Sequence, residues 1–206
     1  MLENFFYSIS NNILQYGFLV QLLAVALSLY FVPTIRKLAM AKNLTDTPSA
    51  RKSHTKAVPV LGGVAIYLAA SFAMLIVIYI FPSKIETSNF FLLGVGSMVL
   101  LFVGVLDDVV GLKPLHKLFF QLAVSFILIH NAPFYINDMQ GLFGFTDISY
   151  APSLLLSVFV YVVFINMLNL VDGIDGLASG ISVVAFSFFG YVAYLDGSYF
   201  NMLVSM

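Results

Sequence analysis

Long apolar runs separated by short polar breaks dominate this chain, and the run lengths define its elements. A bilayer core about 30 Å thick requires ~20 mostly apolar residues per helix. Residues 16–35, from Tyr16 through Val32 with Pro33 near the end, meet that requirement and predict a first span. Further spans are predicted over Val60–Phe81, Phe90–Leu106, Ser153–Leu168 and Ala178–Leu195. Between the third and these last two lies a shorter, weaker run, Leu118 to Ile136, with His130, Asn131 and Pro133 near its far end. Residues 199–206 begin another apolar stretch. The expectation is an all-α, polytopic transmembrane protein with about six spans and the start of a seventh, forming a single membrane domain over residues 1–206. The external segment 134–149, with Gly141 and Gly144 among β-branched and aromatic residues, predicts a short hairpin.

Composition agrees with that pattern. The chain is 61% hydrophobic and 9% charged, with a mean hydropathy of +1.00, whereas a soluble domain is about half apolar and a quarter charged. A net charge of −1 points to no nucleic-acid partner. With no cysteine there is neither a disulfide framework nor a thiolate nucleophile or metal ligand. The N-terminus lacks a basic region and a small-residue cleavage site, so the first run is read as a retained span.

The basic residues set the predicted orientation. Arg36, Lys37, Lys42, Arg51, Lys52 and Lys56 fall in the first loop and Lys113 and Lys117 in the third, against Lys84 alone on the other side. Positive loops stay cytoplasmic. The N-terminus is therefore expected outside, with loops 36–59, 107–117 and 169–177 in the cytoplasm.

Three polar clusters share that predicted face. In GVLDDVVGLKPLHKLFFQ, Asp107 and Asp108 adjoin lipid, where paired carboxylates need a cation, a basic side chain or water. The plainer reading makes them solvated boundary acids. In NMLNLVDGIDGLASG, Asn166, Asn169, Asp172 and Asp175 recur every three residues, which places neighbours on adjoining helix surface. Asn166 and Asn169 are expected to point together into a polar cavity. Oxygen-only ligands suit Mg²⁺ or Mn²⁺ rather than zinc. A capping role would need one such residue, and this run has four. In DTPSARKSHTKAVPVLGG, Arg51 and Lys52 are phosphate-binding types and His54 titrates near neutrality. Attraction of this loop to anionic lipid explains Arg36, Lys37 and Lys42, but not the placing of Pro48, Pro59, Gly62 and Gly63. His116 and His130 are read as bland. Two acidic clusters and a basic one on a single face describe a divalent-metal, phosphate-handling site.

In this order and spacing, the three runs resemble the polyprenyl-phosphate N-acetylhexosamine-1-phosphate transferase family, glycosyltransferase family 4. The resemblance covers most of residues 46–180. It implies transfer of a sugar 1-phosphate from a UDP-sugar to polyprenyl (undecaprenyl) phosphate with release of UMP, dependent on Mg²⁺, at the cytoplasmic face of the bacterial inner membrane. The D-x-P-x-x-R-K-x-H run is similar to the branch using UDP-N-acetylglucosamine to initiate O-antigen, teichoic acid or related envelope glycans. UDP-N-acetylmuramoyl-pentapeptide is the alternative donor. By the same resemblance, Asp107 and Asp108 match the paired aspartates, one the base toward the lipid phosphate and either a metal contact. Asn166, Asn169, Asp172 and Asp175 match the lining of the nucleotide and metal pocket, while Lys52, His54 and Lys117 match basic positions near phosphates. A homodimer is a candidate assembly. The sequence ends at Met206, before a glycine-flanked aspartate and a histidine-rich loop of the family, so it is expected to be the N-terminal part of a longer transferase and inactive alone. Two readings from other classes stand beside this one. A cation-coupled transporter predicts acids deep in the spans. A structural or assembly membrane protein predicts that alanine at the four aspartates leaves function intact.

Overall fold

The computed structural model describes residues 13–46, 58–80, 87–131, 135–144, 146–172 and 176–197. Six α-helices dominate the described residues: α1 (Ile13–Ala41), α2 (Gly62–Ile80), α3 (Thr87–Val110), α4 (Pro114–Asn131), α5 (Tyr150–Val171) and α6 (Leu177–Leu195). Two two-residue strands, β1 (Thr45–Asp46) and β2 (Val58–Pro59), are the regular sheet among them. All of these helices except α4 are long and apolar enough to cross a membrane. Large apolar side chains cover their outer surfaces, with Leu29 75% and Tyr79 87% exposed. Such faces are tolerable only against lipid or a partner. The protein is an all-helical, multi-pass membrane protein.

Two compact units make up the chain. In the first, Met1–Phe90 with Gly176–Met206, α1 packs along α2. On α2, Ala65, Ala69 and Ala73 recur every four residues and are 1%, 0% and 0% exposed. Small residues at this spacing let two helices approach closely. Phe31 and Phe72 add a tilted ring contact at 5.9 Å across the same seam. The helix α1 runs through Pro33 and past the expected boundary at residue 35. Proline removes one backbone donor, and Thr34 Oγ1 donates to the carbonyl of Tyr30 at 2.8 Å in the same turn. The helix stops where Asn43 takes a left-handed φ of 56°. Leu44 N–H then donates to Ala39 O at 2.9 Å and Asn43 N–H to Met40 O at 3.2 Å, a Schellman closure. Immediately beyond it, β1 and β2 pair antiparallel, Thr45 opposite Pro59 and Asp46 opposite Val58.

The second unit, Phe91–Asp175, holds most of α3, all of α4 and α5, and every described member of the acidic and asparagine clusters. The helices α4 and α5 pack directly on each other. At Gly96 on α3 an added Cβ would lie 3.0 Å from both terminal methyls of Leu128 on α4, so only glycine admits this approach without displacement. In place of the fourth predicted span, Leu118–Ile136, stands the 18-residue helix α4, Pro114–Asn131, which is not among the helices long and apolar enough to cross a membrane. Proline suits a first helical position, which Pro114 takes in α4.

The predicted hairpin takes a minimal form, with one antiparallel bridge, Asp138 to Asp147, enclosing a 3₁₀ turn over Leu142–Gly144. Two serines on α5 hold its start. Ser153 Oγ donates to Ile136 O at 2.6 Å, and Ile136 N–H donates to Ser157 Oγ at 2.8 Å. Replacing Ser157 with Ala should leave that N–H unpaired at a cost of about 1–3 kcal/mol. The expected signature is faster hydrogen exchange and proteolysis confined to residues near 136–148, with α5 itself unchanged.

Candidate active site

The run DDVVGLKPLHK folds as a tight corner between α3 and α4. Gly111 takes a φ of 77° and its N–H donates to Asp107 O at 2.9 Å, ending α3 with the left-handed geometry that glycine adopts freely. The Asp107 side chain secures the corner, its Oδ1 accepting from Leu112 N–H at 3.0 Å. Its other oxygen, Oδ2, accepts from Lys117 Nζ at 3.1 Å. Lys117 lies in the first turns of α4, where the helix directs it back over the corner.

The same ammonium reaches the third cluster. Lys117 Nζ also donates to Asn169 Oδ1 on α5 at 3.1 Å. One turn deeper, Gln121 of α4 faces Asn166 of α5, and Asn166 Nδ2 donates to Gln121 Oε1 at 2.8 Å. Two polar rungs, Lys117–Asn169 and Gln121–Asn166, thus join α4 to α5, and Asp107 extends the upper rung to α3. The C-terminal ends of α3 and α5 and the N-terminal end of α4 meet here. Lys117 and Asp107 are 21% and 29% exposed, so the bridge is partly shielded and open to a ligand.

Of the residues predicted from the sequence, Asp107, Lys117, Asn166 and Asn169 come together. Asp108 is exposed on the last turn of α3, beside Asp107 in sequence. Asp172 caps α5, its N–H donating to Leu168 O at 3.1 Å, with its side chain exposed. Arg51, Lys52, His54 and Asp175 lie outside the described residues. Each asparagine has a polar partner on α4, Lys117 for Asn169 and Gln121 for Asn166. Gln121 is not among the predicted residues, although an amide one turn after Lys117 in an apolar helix is a visible signal. His116 is exposed at the corner, and His130 stacks on Phe126 at 5.8 Å and shares a hydrogen bond of 2.7 Å with the Tyr150 hydroxyl.

A divalent cation requires several converging oxygen ligands. The carboxylates and the Asn166 carbonyl are right in kind. Among the described residues, however, no three acidic or imidazole groups converge on one point, and both Asp107 oxygens already have partners. The described residues do not by themselves assemble a complete metal site.

Residues 90–206 match the profile of glycosyl transferase family 4. The chain belongs to that family. It is 32% identical over 163 residues to the undecaprenyl-phosphate alpha-N-acetylglucosaminyl 1-phosphate transferase of Escherichia coli (strain K12), covering 79% of this chain and 43% of that protein. The enzyme of the same name from Yersinia pestis is 32% identical over 171 residues, covering 82% of this chain and 45% of the other. That of Salmonella typhi is 29% identical over 168 residues, covering 81% and 44%. The chain thus spans less than half the length of these curated relatives. No solved structure matches it. These relatives carry the name of the N-acetylglucosamine branch to which the D-x-P-x-x-R-K-x-H run is similar.

Proposed function

We propose that this chain forms the N-terminal part of an enzyme that transfers N-acetylglucosamine 1-phosphate from UDP-N-acetylglucosamine to undecaprenyl phosphate at the cytoplasmic face of the membrane. The observation that carries this reading is the Lys117 bridge. One ammonium joins the aspartate motif, through Asp107, to the asparagine motif, through Asn169. Two runs separated by some fifty residues thereby become one charged surface at the ends of three helices, where a lipid-borne phosphate and a soluble nucleotide can both arrive.

In the reaction an oxygen of the lipid phosphate attacks the β-phosphorus of the UDP-sugar. A new P–O bond forms to the lipid, the bond from the β-phosphorus to the bridging oxygen breaks, and UMP leaves. Each oxygen of Asp107 accepts one hydrogen bond, Oδ1 from Leu112 N–H and Oδ2 from the Lys117 ammonium. We assign it to holding Lys117. Of the paired aspartates we propose Asp108 as the base toward the lipid phosphate, and Lys117 offers positive charge to the phosphoryl oxygens as negative charge shifts between them. Asn166, Asn169 and Asp172 line the nucleotide side, and Arg51, Lys52 and His54 belong to the phosphate-binding set. Mg²⁺ is the proposed cofactor; Asp172 and Asp175 would contribute oxygen donors to it, and when bound it would supply charge neutralisation.

The test is transfer of radiolabelled sugar phosphate into a butanol-extractable lipid by membranes containing the full-length protein. We expect stoichiometric UMP release, abolished by EDTA and restored by Mg²⁺. Transfer from UDP-N-acetylmuramoyl-pentapeptide instead would move the protein to the other branch. No transfer from any UDP-N-acetylhexosamine would overturn the reading, and cation flux in proteoliposomes without UMP release would favour the transporter. The helix-end location of Asp107, Lys117 and Asn169 argues against that last class, which needs acids at mid-membrane depth.

A further inference from the structure

Gln121 belongs to none of the aspartate or asparagine motifs, yet it is 2% exposed in an otherwise apolar part of α4. Its Oε1 accepts from Asn166 Nδ2 at 2.8 Å, and the same nitrogen donates to Val162 O, also at 2.8 Å. A main-chain carbonyl can only accept. The nitrogen end of Asn166 is therefore the end that faces Val162, and Gln121 must turn its own oxygen toward it. Both N–H bonds of Asn166 are used in this way. Its Oδ1 has no partner among the described residues, and the side chain is exposed.

Three residues on, the polarity is reversed. An ammonium has donors and no acceptor, so Asn169 meets Lys117 with its oxygen, at 3.1 Å. Its Nδ2 has no partner among the described residues. Neighbouring carboxamides on one helix thus present opposite poles, an oxygen at Asn166 and an amino group at Asn169.

We propose that Gln121 is a positioning residue of the transferase site, which together with Val162 O holds the Asn166 carboxamide with its carbonyl oxygen outward so that this position accepts from an electropositive group and does not donate. The group is an N–H or O–H of the sugar nucleotide or a divalent cation. Asn169, set the other way by Lys117, offers N–H donors to an anionic oxygen. The inference rests on the transferase reading of these residues and adds to it which atom each asparagine presents and that buried Gln121 helps hold Asn166 in place.

A kinetic double-mutant cycle in full-length protein tests the proposal, using Gln121→Met, which keeps the length and removes the acceptor, with Asn166→Ala and the pair. Gln121→Met is expected to raise one constant about tenfold, either the KM for UDP-N-acetylglucosamine or the Mg²⁺ concentration giving half-maximal rate. That corresponds to a hydrogen bond of about 1.4 kcal/mol. The constant that moves identifies the partner of Asn166, while kcat stays within about threefold. In the Asn166→Ala background the same substitution should change that constant less than about twofold. An equal effect in both backgrounds, or a fall in kcat with both constants unchanged, would reduce Gln121 to a packing residue and overturn the proposal. If Gln121→Met does not accumulate, Gln121→Asn, which withdraws the amide by one methylene, should show the same signature.

Side-chain amide NMR of asparagine-¹⁵N-labelled protein reads the geometry without turnover. Both Asn166 protons should exchange slowly in the wild type, and one should become fast in Gln121→Met. Fast exchange already in the wild type sinks the positioning role whatever the transfer assay shows. Absence of transfer by the wild type sinks the functional reading and leaves this spectrum to decide the geometry.

Discussion

Lys117→Met is expected to lower the transfer rate roughly 10²–10³-fold, the scale on which removal of one preorganised charge-stabilising donor is felt. The substitution keeps most of the apolar stem and removes the ammonium. Asp107 Oδ2 and Asn169 Oδ1 then lose their shared donor, at 3.1 Å in each case, and the motifs on α3 and α5 lose their link. Lys117→Arg should recover only part of the rate. Its planar fork donates in fixed directions, whereas the two acceptors are arranged around a compact ammonium. Rates normalised to folded protein in membranes provide the measurement. A Met variant within about threefold of wild type would exclude Lys117 from the site.

The paired aspartates should separate by kinetic type. Asp108→Asn is expected to reduce kcat roughly 10²–10⁴-fold, the usual range for loss of a positioned general base, with little change in the KM for the UDP-sugar. Asp107→Asn leaves one acceptor oxygen for two donors, Leu112 N–H and the Lys117 ammonium, and removes the negative charge that holds the lysine. Its main effect should fall on KM for the UDP-sugar, accompanied by a smaller loss of kcat. The opposite pattern would exchange the roles of the two aspartates.

The spans are legible in the sequence because their signal is length and apolarity, both local properties. Their ends are less so. The helix α1 reaches Ala41 because Asn43 closes it with a left-handed turn, and nothing in the apolar run up to residue 35 reports that closure. Conversely, α4 stops at Asn131. In the site, the residue types announce the chemistry, and Asp107 and Asn169, each predicted near a span end, come together at Lys117. The bridge itself is not legible. Lys117 is 10 residues from Asp107 and 52 from Asn169, and only packing of α4 on α5 decides that its ammonium serves both. Gln121 escapes sequence reasoning for a related cause: its importance lies in which end of a neighbouring amide it turns outward.

The pairing of β1 with β2 has a consequence for how family members diverge. Asp46 and Val58 face each other across the ribbon, so the chain leaves and returns at adjacent backbone positions on either side of the run that carries Arg51, Lys52 and His54. The ends of this basic segment are already brought together by the ribbon and by the closure at Asn43. A change of its length then adds little closure entropy, about 0.6 kcal/mol for a doubling. The segment is in effect an exchangeable cassette. A loop of another length fits between the two strands while the alanine seam joining α1 and α2 stays as it is.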